Sequence, residues 1–336
     1  MIQTRLSRLI SGLFCLSAAA FLAPLQVQAQ APAKPASGAY PSRPITLIVP
    51  YAPGNTDLMA RIYLSQIARN THWAFTYDYK PGQAGHIGAN AAAKAEPDGH
   101  TMLMISSSLT FGHLYSKKLP YDWRTDLIPT YQMTATSLML LVNSSMPVTS
   151  VKDYIAYAKA NPGKINYGVV GAGGITHLVG MWMHGMMGVD VNYVPYKGFG
   201  PVAGDLASGV LNAAMPSYKA VRGLILQGKI RPLGLTMVNA RNDHLPGLKS
   251  IAEEGVPDFN YVSWMGIFFP KETPQPIMNR MNTEFNKATK APELIKGFDD
   301  LGDGIGGGSQ ADFKKLVLQT SERLTKLITD NNIKLD

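Results

Sequence analysis

The chain has 336 residues, of which 46% are hydrophobic and 16% are charged, and its formal net charge is +8. This length and hydrophobic content suggest two globular domains or one large one. The basic residues form no run along the chain, which argues against nucleic acid as a partner. The single cysteine, Cys15, lies near the N-terminus, so the processed protein would fold without disulfides.

The N-terminus has the three parts of a secretory signal peptide. Two arginines precede an apolar stretch over residues 9–25, and a small-residue cleavage site ends at Ala29. We therefore expect residues 1–29 to be a signal peptide that directs export, and residues 30–39 to be a flexible leader. Loss of the two arginines would leave a net charge of +6 (8 − 2). An uncleaved membrane anchor is the alternative interpretation of the apolar stretch.

From residue 40 onward, short apolar runs alternate with helical patterns. The predicted strands are residues 45–51, 74–79, 101–106, 138–143, 165–170, 191–196, 211–215, 233–237 and 265–269. Most of these runs are continuously apolar, as expected of parallel strands that are covered on both faces. The alternation predicts an α/β fold with parallel sheets, which bind ligands at the carboxyl ends of their strands.

The last third of the chain carries clear helix signals. Ser309 and Asp312 form a capping pattern before a final helix that has an apolar stripe. The glycine-rich residues 302–308 stand before this helix, and we expect them to be a flexible connection.

Two strand–loop–helix units begin 120 residues apart (165 − 45) and are alike. In the first, the strand from Ile45 is followed by residues 53–57 and a helix. In the second, the strand from Ile165 is followed by the glycine-rich residues 171–174 and a helix. Such junctions direct free backbone N–H groups and the positive end of a helix dipole at one point, which suits an anion. An ordinary capped turn is the alternative for the first junction.

Motifs for cofactors and catalysis are missing from the sequence. Residues 171–177 approach a dinucleotide fingerprint, but Thr176 stands where the third small residue belongs. The sequence contains no Gly-x-Ser-x-Gly elbow, no helical zinc spacing among its histidines and no calcium-loop pattern. We expect no cofactor, no metal and no enzymatic activity. A carboxylate held from two sides is the chemistry of a receptor.

Several segments, taken together, are specific for one family. Their residues are 40–51, 53–61, 81–89, 97–101, 119–122, 161–167, 173–178, 194–198 and 254–257, beginning Tyr40-Pro-Ser-Arg-Pro-Ile-Thr-Leu-Ile-Val-Pro-Tyr. In order and spacing they resemble the extracytoplasmic solute-binding receptors of tripartite tricarboxylate transporters, the Bug family. The resemblance covers almost the whole mature chain.

This resemblance implies a two-lobed periplasmic binding protein of type II-like fold, in which each lobe is a mostly parallel sheet flanked by helices. The ligand would lie in the interlobe cleft. We expect residues 40–140 plus 262–336 to form lobe 1 and residues 141–261 to form lobe 2. The expected partners are a small carboxylate and the permease subunits of the transporter, and the expected state is a monomer. The alternative is a ligand sensor that presents its closed form to a membrane kinase.

In this family, backbone groups of the two junctions hold a carboxylate. The predicted ligand-binding residues are Tyr51, Pro53, Gly54, Asn55, Thr56, Asp57, His86, Ser106, Ser107, Ala172, Gly173, Gly174, Thr176, His177, Tyr196 and Ser217. Asp57 would repel an anion, so we interpret it as a cap or a brace. Alternatively, many of the polar side chains simply begin loops.

The chain departs from the family pattern near the expected ligand. The first loop is one residue shorter than is usual, and Gln83, Ala84 and His86 stand where small residues and Asn are common. His86, Phe111 and Trp264 could form an aromatic wall. On that basis the ligand is predicted to be an aromatic dicarboxylate such as terephthalate.

Overall fold

The computed structural model describes residues 40–111, 119–240, 242 and 244–330. The predicted signal peptide, residues 1–29, and the predicted leader, residues 30–39, lie outside these described residues. Among the helices that are described, none is both long enough and apolar enough to cross a membrane.

Ten strands lie in the described part of the chain. They are β1 (Ile45–Val49), β2 (Phe75–Tyr79), β3 (Thr101–Ser106), β4 (Leu127–Gln132), β5 (Met139–Asn143), β6 (Asn166–Val170), β7 (Asn192–Tyr196), β8 (Ala213–Ala214), β9 (Ile230–Leu235) and β10 (Met265–Pro270). Nine of them confirm a predicted strand. The sequence analysis missed β4, which contains Pro129 and lies at a sheet edge, where a strand can lack an N–H donor.

The strands form two sheets with the same plan. The first sheet has the order β2-β1-β3-β10-β4 and the second has the order β7-β6-β8-β5-β9. In each, the first three strands are parallel, the fourth is antiparallel to both neighbours, and the fifth again follows the parallel direction. The expected mostly parallel sheets are confirmed. Strands β1 and β6, which begin the two predicted junctions, occupy the same place in their sheets.

Helices connect these strands and cover the sheets. They are α1 (Asn55–Thr71), α2 (His86–Ala93), α3 (Trp123–Asp126), α4 (Val151–Ala160), α5 (Ile175–Met187), α6 (Phe199–Ser208), α7 (Tyr218–Leu226), α8 (Gln275–Ala288), α9 (Pro292–Leu301) and α10 (Gln310–Asp330). Short 3-10 helices span Gln83–Gly85 and Ser107–Thr110.

Both faces of each sheet are buried, as the continuous apolar runs predict. In β1, Leu47 packs into one hydrophobic cluster and Ile48 packs into another on the opposite face. In β5, Leu140 and Leu141 divide in the same way between two further clusters. Because successive side chains of a strand point to opposite faces, each sheet has a core above it and a core below it.

Three chain segments run side by side between the two sheets. Thr136, on the segment from β4 to β5, pairs with Ser263, on the returning segment. On its other side, Ala135 N–H donates to the Gly304 carbonyl at 2.9 Å, and Gly306 N–H donates to the Met133 carbonyl at 2.9 Å. The expectation of a flexible connection over residues 302–308 was therefore wrong.

Glycine is needed in this third segment because of close packing. A Cβ atom on Gly304 would lie 2.1 Å from the Ala135 carbonyl oxygen. The glycines thus allow a close approach of two backbones rather than flexibility. The predicted crossing after residue 140 falls inside β5, and the exact lobe boundaries stay a prediction.

Candidate functional site

In the described part of the chain, five α-helices that follow parallel strands begin without a side-chain cap. Gly54, Gly85, Gly174 and Gly198 are the N-cap residues of α1, α2, α5 and α6, and Ser217 precedes α7. These starts lie at the carboxyl ends of the parallel strands, and the first N–H groups of an α-helix have no acceptor within the helix itself. At α2, the His86 N–H donates to the Gln83 carbonyl of the preceding 3-10 helix.

A helix that begins at the opposite end of the second sheet shows the contrast. Strand β5 is antiparallel, so the following helix α4 starts away from the carboxyl ends of the parallel strands. There the Ser150 hydroxyl accepts the Asp153 N–H at 3.1 Å, and Asp153 in turn accepts the Thr149 N–H. Helix α4 is thus capped by side chains at the remote end of its sheet, whereas the five helices named above begin without a side-chain cap at the end where ligands bind in α/β sheets. Helices α8 and α9 also begin without a side-chain cap.

The first predicted loop, residues 53–57, lies at the start of α1. Pro53 and Gly54 are exposed, and Gly54 has extended backbone with φ 170°. Leu58 N–H donates to the Gly54 carbonyl at 3.0 Å and closes the first turn. The N–H groups of Asn55, Thr56 and Asp57 precede this bond and are the first three donors of the helix.

Of the two roles interpreted for Asp57, a cap or a brace, the structure shows the brace, since α1 has no side-chain cap. The Asp57 carboxylate accepts hydrogen bonds from Arg61 Nε at 2.9 Å and from the Tyr79 hydroxyl at 2.5 Å. Arg61 Nη2 also donates to the Tyr79 hydroxyl oxygen at 2.7 Å. The start of α1 is thereby tied to strand β2.

Tyr51 and Ser106 join the ends of β1 and β3. Their hydroxyl oxygens are 2.9 Å apart, and the Ser106 N–H donates to the Tyr51 hydroxyl at 3.1 Å. The Ser108 hydroxyl donates to the Ala84 carbonyl at 2.9 Å, which adds the loop after β2 to the same network. Ser107 lies deeper, with 4% of its surface exposed. Three strand ends of the first sheet therefore meet at these side chains.

His86 lies beneath this surface. Its ring is 4% exposed, and its Nδ1 atom is 2.6 Å from the Tyr121 hydroxyl oxygen. Gln83 and Ala84, the unusual residues before it, adopt the left-handed region with φ 48° and φ 51°. We therefore treat His86 as a support of the loop rather than as part of the ligand wall.

The second predicted loop, residues 172–177, is braced by its own side chains. The Thr176 hydroxyl accepts the Val170 N–H at 3.0 Å, and His177 Nδ1 accepts the Gly173 N–H at 2.9 Å. Gly174 N–H donates to the Gly171 carbonyl at 3.2 Å. The backbone donors at the very start of α5, on Ile175 and Thr176, still precede any intrahelical bond.

His177 is neutral in this arrangement. Burial lowers the pKa of His177, because the charged ring loses its hydration. Its Nδ1 atom accepts a hydrogen bond, so the ring proton is on Nε2. His177 therefore shapes the loop through its Nδ1 atom and adds no positive charge.

Tyr196 and Ser217 end two further strands of the second sheet. The Tyr196 hydroxyl donates to Asp205 at 2.5 Å, and this hydrogen bond together with burial raises the pKa of Tyr196 to about 12. The Tyr196 carbonyl accepts the Gly171 N–H at 2.9 Å, which places it beside the second loop. Ser217 is half-buried at the start of α7.

Side chains from the two halves of the molecule, each built on one sheet, make contact near these helix starts. Phe111, which follows β3 and its 3-10 helix, is 3% exposed and packs in one cluster with Leu178 and Ile175 of α5. Lys219, in the first turn of α7, donates to the Asp300 carbonyl at the end of α9. These contacts bring the starts of α5 and α7 against the half of the molecule that contains the first sheet.

The expected aromatic wall is wrong for two of its members. Trp264 is 1% exposed and packs edge-on against Phe313, with ring centroids 5.3 Å apart. Phe111 is buried in the cluster with Leu178. Both belong to hydrophobic cores, because their apolar surface is covered by α10 residues that lie far away in the sequence. Tyr51 and Tyr196 are half-buried aromatic residues at strand ends, as is Tyr79, whose hydroxyl is bound to Asp57.

Two sheets of one plan, whose parallel strands lead into uncapped helices, define the class of two-lobed solute-binding proteins. A family model described as "Tripartite tricarboxylate transporter family receptor" matches residues 60–333. The chain therefore belongs to the family of tripartite tricarboxylate transporter receptors. Receptors of this family are periplasmic, bind small carboxylates and work with membrane permeases; they are not enzymes.

Individual relatives agree with this assignment. The chain is 33% identical to a UPF0065 protein from the tcbD-tcbE intergenic region of Pseudomonas sp. strain P51, over 87% of each chain. It is 32% identical to the protein BugT of Bordetella pertussis, over 77% of this chain and 80% of that one. Among solved structures it is similar to R. palustris Rpa4515 with adipate, at 32% identity and a TM-score of 0.70, covering 89% of this chain and 100% of that one.

Proposed function

We propose that this protein is a periplasmic receptor that captures a small organic carboxylate in the cleft between its lobes and delivers it to a tripartite permease. The observation that supports this most directly is the set of five uncapped helix starts at the carboxyl ends of the parallel strands. Backbone N–H groups at such positions attract anions through hydrogen bonds and the helix dipole.

The proposed site combines the two equivalent junctions. Lobe 1, which contains the first sheet, contributes the start of α1, and lobe 2, which contains the second sheet, contributes the start of α5. Each helix terminus would contribute about 0.3–2 kcal/mol, so several contacts have to act together. A ligand that bridges both lobes would favour their closed arrangement.

A dicarboxylate fits a site with one anion-binding junction in each lobe. The related R. palustris protein was solved with adipate, which carries a carboxylate at each end. Terephthalate also has two opposed carboxylates, but its flat ring needs apolar walls. Tyr51 and Tyr196 are available for this, whereas Trp264 is buried. We therefore propose aliphatic dicarboxylates as the preferred ligands and keep terephthalate as the aromatic candidate.

Thermal unfolding of the protein purified from the periplasm tests this function. The panel contains adipate, succinate, citrate, benzoate and terephthalate, each at increasing concentration. A ligand at 100 times its dissociation constant should stabilise the folded state by about 2.7 kcal/mol. If none of these compounds shifts the midpoint of protein checked to be folded and ligand-free, the proposed function is wrong. The mass of the exported protein also shows whether cleavage follows Ala29.

Delivery is tested separately by chemical crosslinking in intact cells, with and without the carboxylate that binds. Ligand-dependent crosslinks to the permease subunits would support transport. Crosslinks to a membrane kinase, and none to a permease, would replace transport with the sensory role.

A further inference from the structure

Asp57 places a carboxylate next to a site proposed for an anion. It is the third residue of α1 and only 7% exposed. An unbalanced negative charge in the first turn would oppose a ligand carboxylate on the N–H groups of that turn. Its side chain could also turn back and accept those N–H groups itself, as acidic residues commonly do at helix starts.

Neighbouring side chains prevent both effects. One carboxylate oxygen of Asp57 accepts from Arg61 Nε at 2.9 Å and the other from the Tyr79 hydroxyl at 2.5 Å. Arg61 Nη2 donates to the Tyr79 hydroxyl at 2.7 Å, so the three side chains form a closed ring of hydrogen bonds. The guanidinium lies 4.3 Å from the centroid of the Tyr77 ring, which holds it from the other side.

The electrostatics agree with this geometry. The hydrogen bonds to Asp57 and to Tyr79 raise the pKa of Arg61, so the guanidinium keeps its charge. The hydrogen bond to Asp57 also raises the pKa of Tyr79, so the phenol stays protonated and able to donate. The ring therefore presents a balanced charge beside the start of α1.

We propose that Arg61 and Tyr79 are positioning residues for ligand binding, which act by neutralising Asp57 and holding it away from the first N–H groups of α1. This inference rests on the proposed carboxylate function. Neither side chain has to touch the ligand, since both act through Asp57. The start of α1 then remains open although an acidic residue is part of it.

The test compares single and double variants at these positions, whose affinity for adipate is measured by calorimetric titration. Arg61→Gln leaves the Asp57 charge unbalanced and should weaken adipate binding about tenfold. Tyr79→Phe removes one donor and should weaken it about threefold. In the double variant Asp57→Asn/Arg61→Gln the charge is gone, and affinity should return to within about threefold of the wild type.

The rescue distinguishes positioning from a general structural role. A structural role predicts that the double variant binds adipate more weakly than either single variant, because more hydrogen bonds are lost. Two controls are matched to the single variants, one for the lost charge and one for the lost hydroxyl. Arg69→Gln removes the same charge from an exposed position on α1. Arg69→Gln should bind adipate like the wild type. Tyr157→Phe, which removes a hydroxyl from a half-buried tyrosine on α4, the helix that begins at the remote end of the second sheet, should do the same.

Other results of the titration are equally decisive. If Arg61→Gln binds adipate as the wild type does, or if the double variant is not rescued, the proposal is overturned while the receptor function stands. If the wild type binds neither adipate nor any other carboxylate of the panel, the receptor function fails first and this proposal falls with it.

Discussion

The two junctions occupy the same place in two similar sheets, yet the chain braces them with different chemistry. At the first, Arg61 and the Tyr79 hydroxyl hold the Asp57 side chain away from the loop backbone, and the glycine N-cap is exposed. At the second, Thr176 and the neutral His177 turn into the loop and occupy two backbone N–H groups. One junction is thus braced by charge from outside and the other by neutral hydrogen bonds from within.

This difference indicates how the two halves would hold a ligand. The first loop has room to adjust, since little packs on Gly54. The second loop has a fixed shape, with Gly174 packed against the backbone of Val170. We infer that the second junction supplies a rigid frame and that the first adapts to the ligand. Substitutions at the glycine caps of the two junctions separate these roles.

The largest effect is expected from Gly174→Ser. A Cβ atom at this position would lie 2.2 Å from the Val170 carbonyl oxygen, which is backbone and cannot move aside cheaply. The substitution should destabilise the protein by about 3 kcal/mol and abolish carboxylate binding. For a chain of this size that corresponds to a fall in Tm of about 6 °C, measurable by calorimetry.

Gly185→Ser is the matched control, because it lies on the same helix and its added Cβ would meet nothing within 4 Å. It should keep both stability and affinity. A Gly174→Ser protein with wild-type Tm would show that the second loop is not rigid.

A second prediction concerns His184, which supports the second junction from below. Its ring is 2% exposed, and its two nitrogens lie 2.9 Å from the hydroxyls of Tyr154 and Tyr193. The Tyr193 ring in turn contacts His177, with centroids 4.8 Å apart. Burial lowers the pKa of His184 to about 3, so the folded protein keeps it neutral.

The sign of the pH dependence follows from that shift. An unfolded histidine binds a proton below about pH 6.5, whereas the folded one does not until about pH 3. The stabilising contribution is therefore complete above pH 6.5 and is lost as the pH falls towards 3. Between pH 7 and pH 5 this amounts to about 2 kcal/mol.

Denaturant titrations at both pH values measure this loss. His184→Gln should be less stable at pH 7 but should lose about 2 kcal/mol less between pH 7 and pH 5 than the wild type. Tyr154→Phe, which keeps the buried histidine, should retain the wild-type pH dependence. Equal pH dependence in His184→Gln and the wild type would show that His184 does not titrate on unfolding as described.

Much of the fold followed from local patterns in the sequence. Continuous apolar runs predicted strands buried on both faces, because successive apolar residues such as Leu47 and Ile48 point to opposite faces and both have to be shielded from water. The glycines before α1 and α5 identified the two junctions. The failures were non-local: residues 302–308 looked flexible because their partners, such as Ala135, lie far away along the chain.

The side chains of the site were less predictable than its backbone. Small residues after a strand indicate where backbone N–H groups are accessible to a ligand. The direction of a side chain, in contrast, depends on the geometry of the turn. Thr176 and His177 therefore became braces of their own loop. Trp264 is buried because Phe313 packs on it, which no local pattern shows. Lys219, which reaches α9, could have been noticed because it follows Ser217 and Tyr218 directly.

The smallest expected effect comes from Gly54→Ser and tests the adaptable junction. The extended backbone at Gly54 accepts any residue, and its added Cβ would have only the Ala52 carbonyl nearby, at 3.9 Å. The new hydroxyl can accept an N–H of the first turn of α1, as a standard N-cap does. We expect a gain in stability of a few tenths of a kcal/mol and roughly fivefold weaker binding of adipate.

Gly198→Ser is the matched control at the start of α6, where the backbone is also extended and a Cβ would meet nothing within 4 Å. It adds the same cap to a helix outside the two proposed ligand loops, so adipate affinity should stay at the wild-type value. Calorimetric titration of both variants separates the possibilities. Weakened binding in Gly198→Ser, together with unchanged binding in Gly54→Ser, would move the anion contact from α1 to α6 and contradict the proposed pair of junctions.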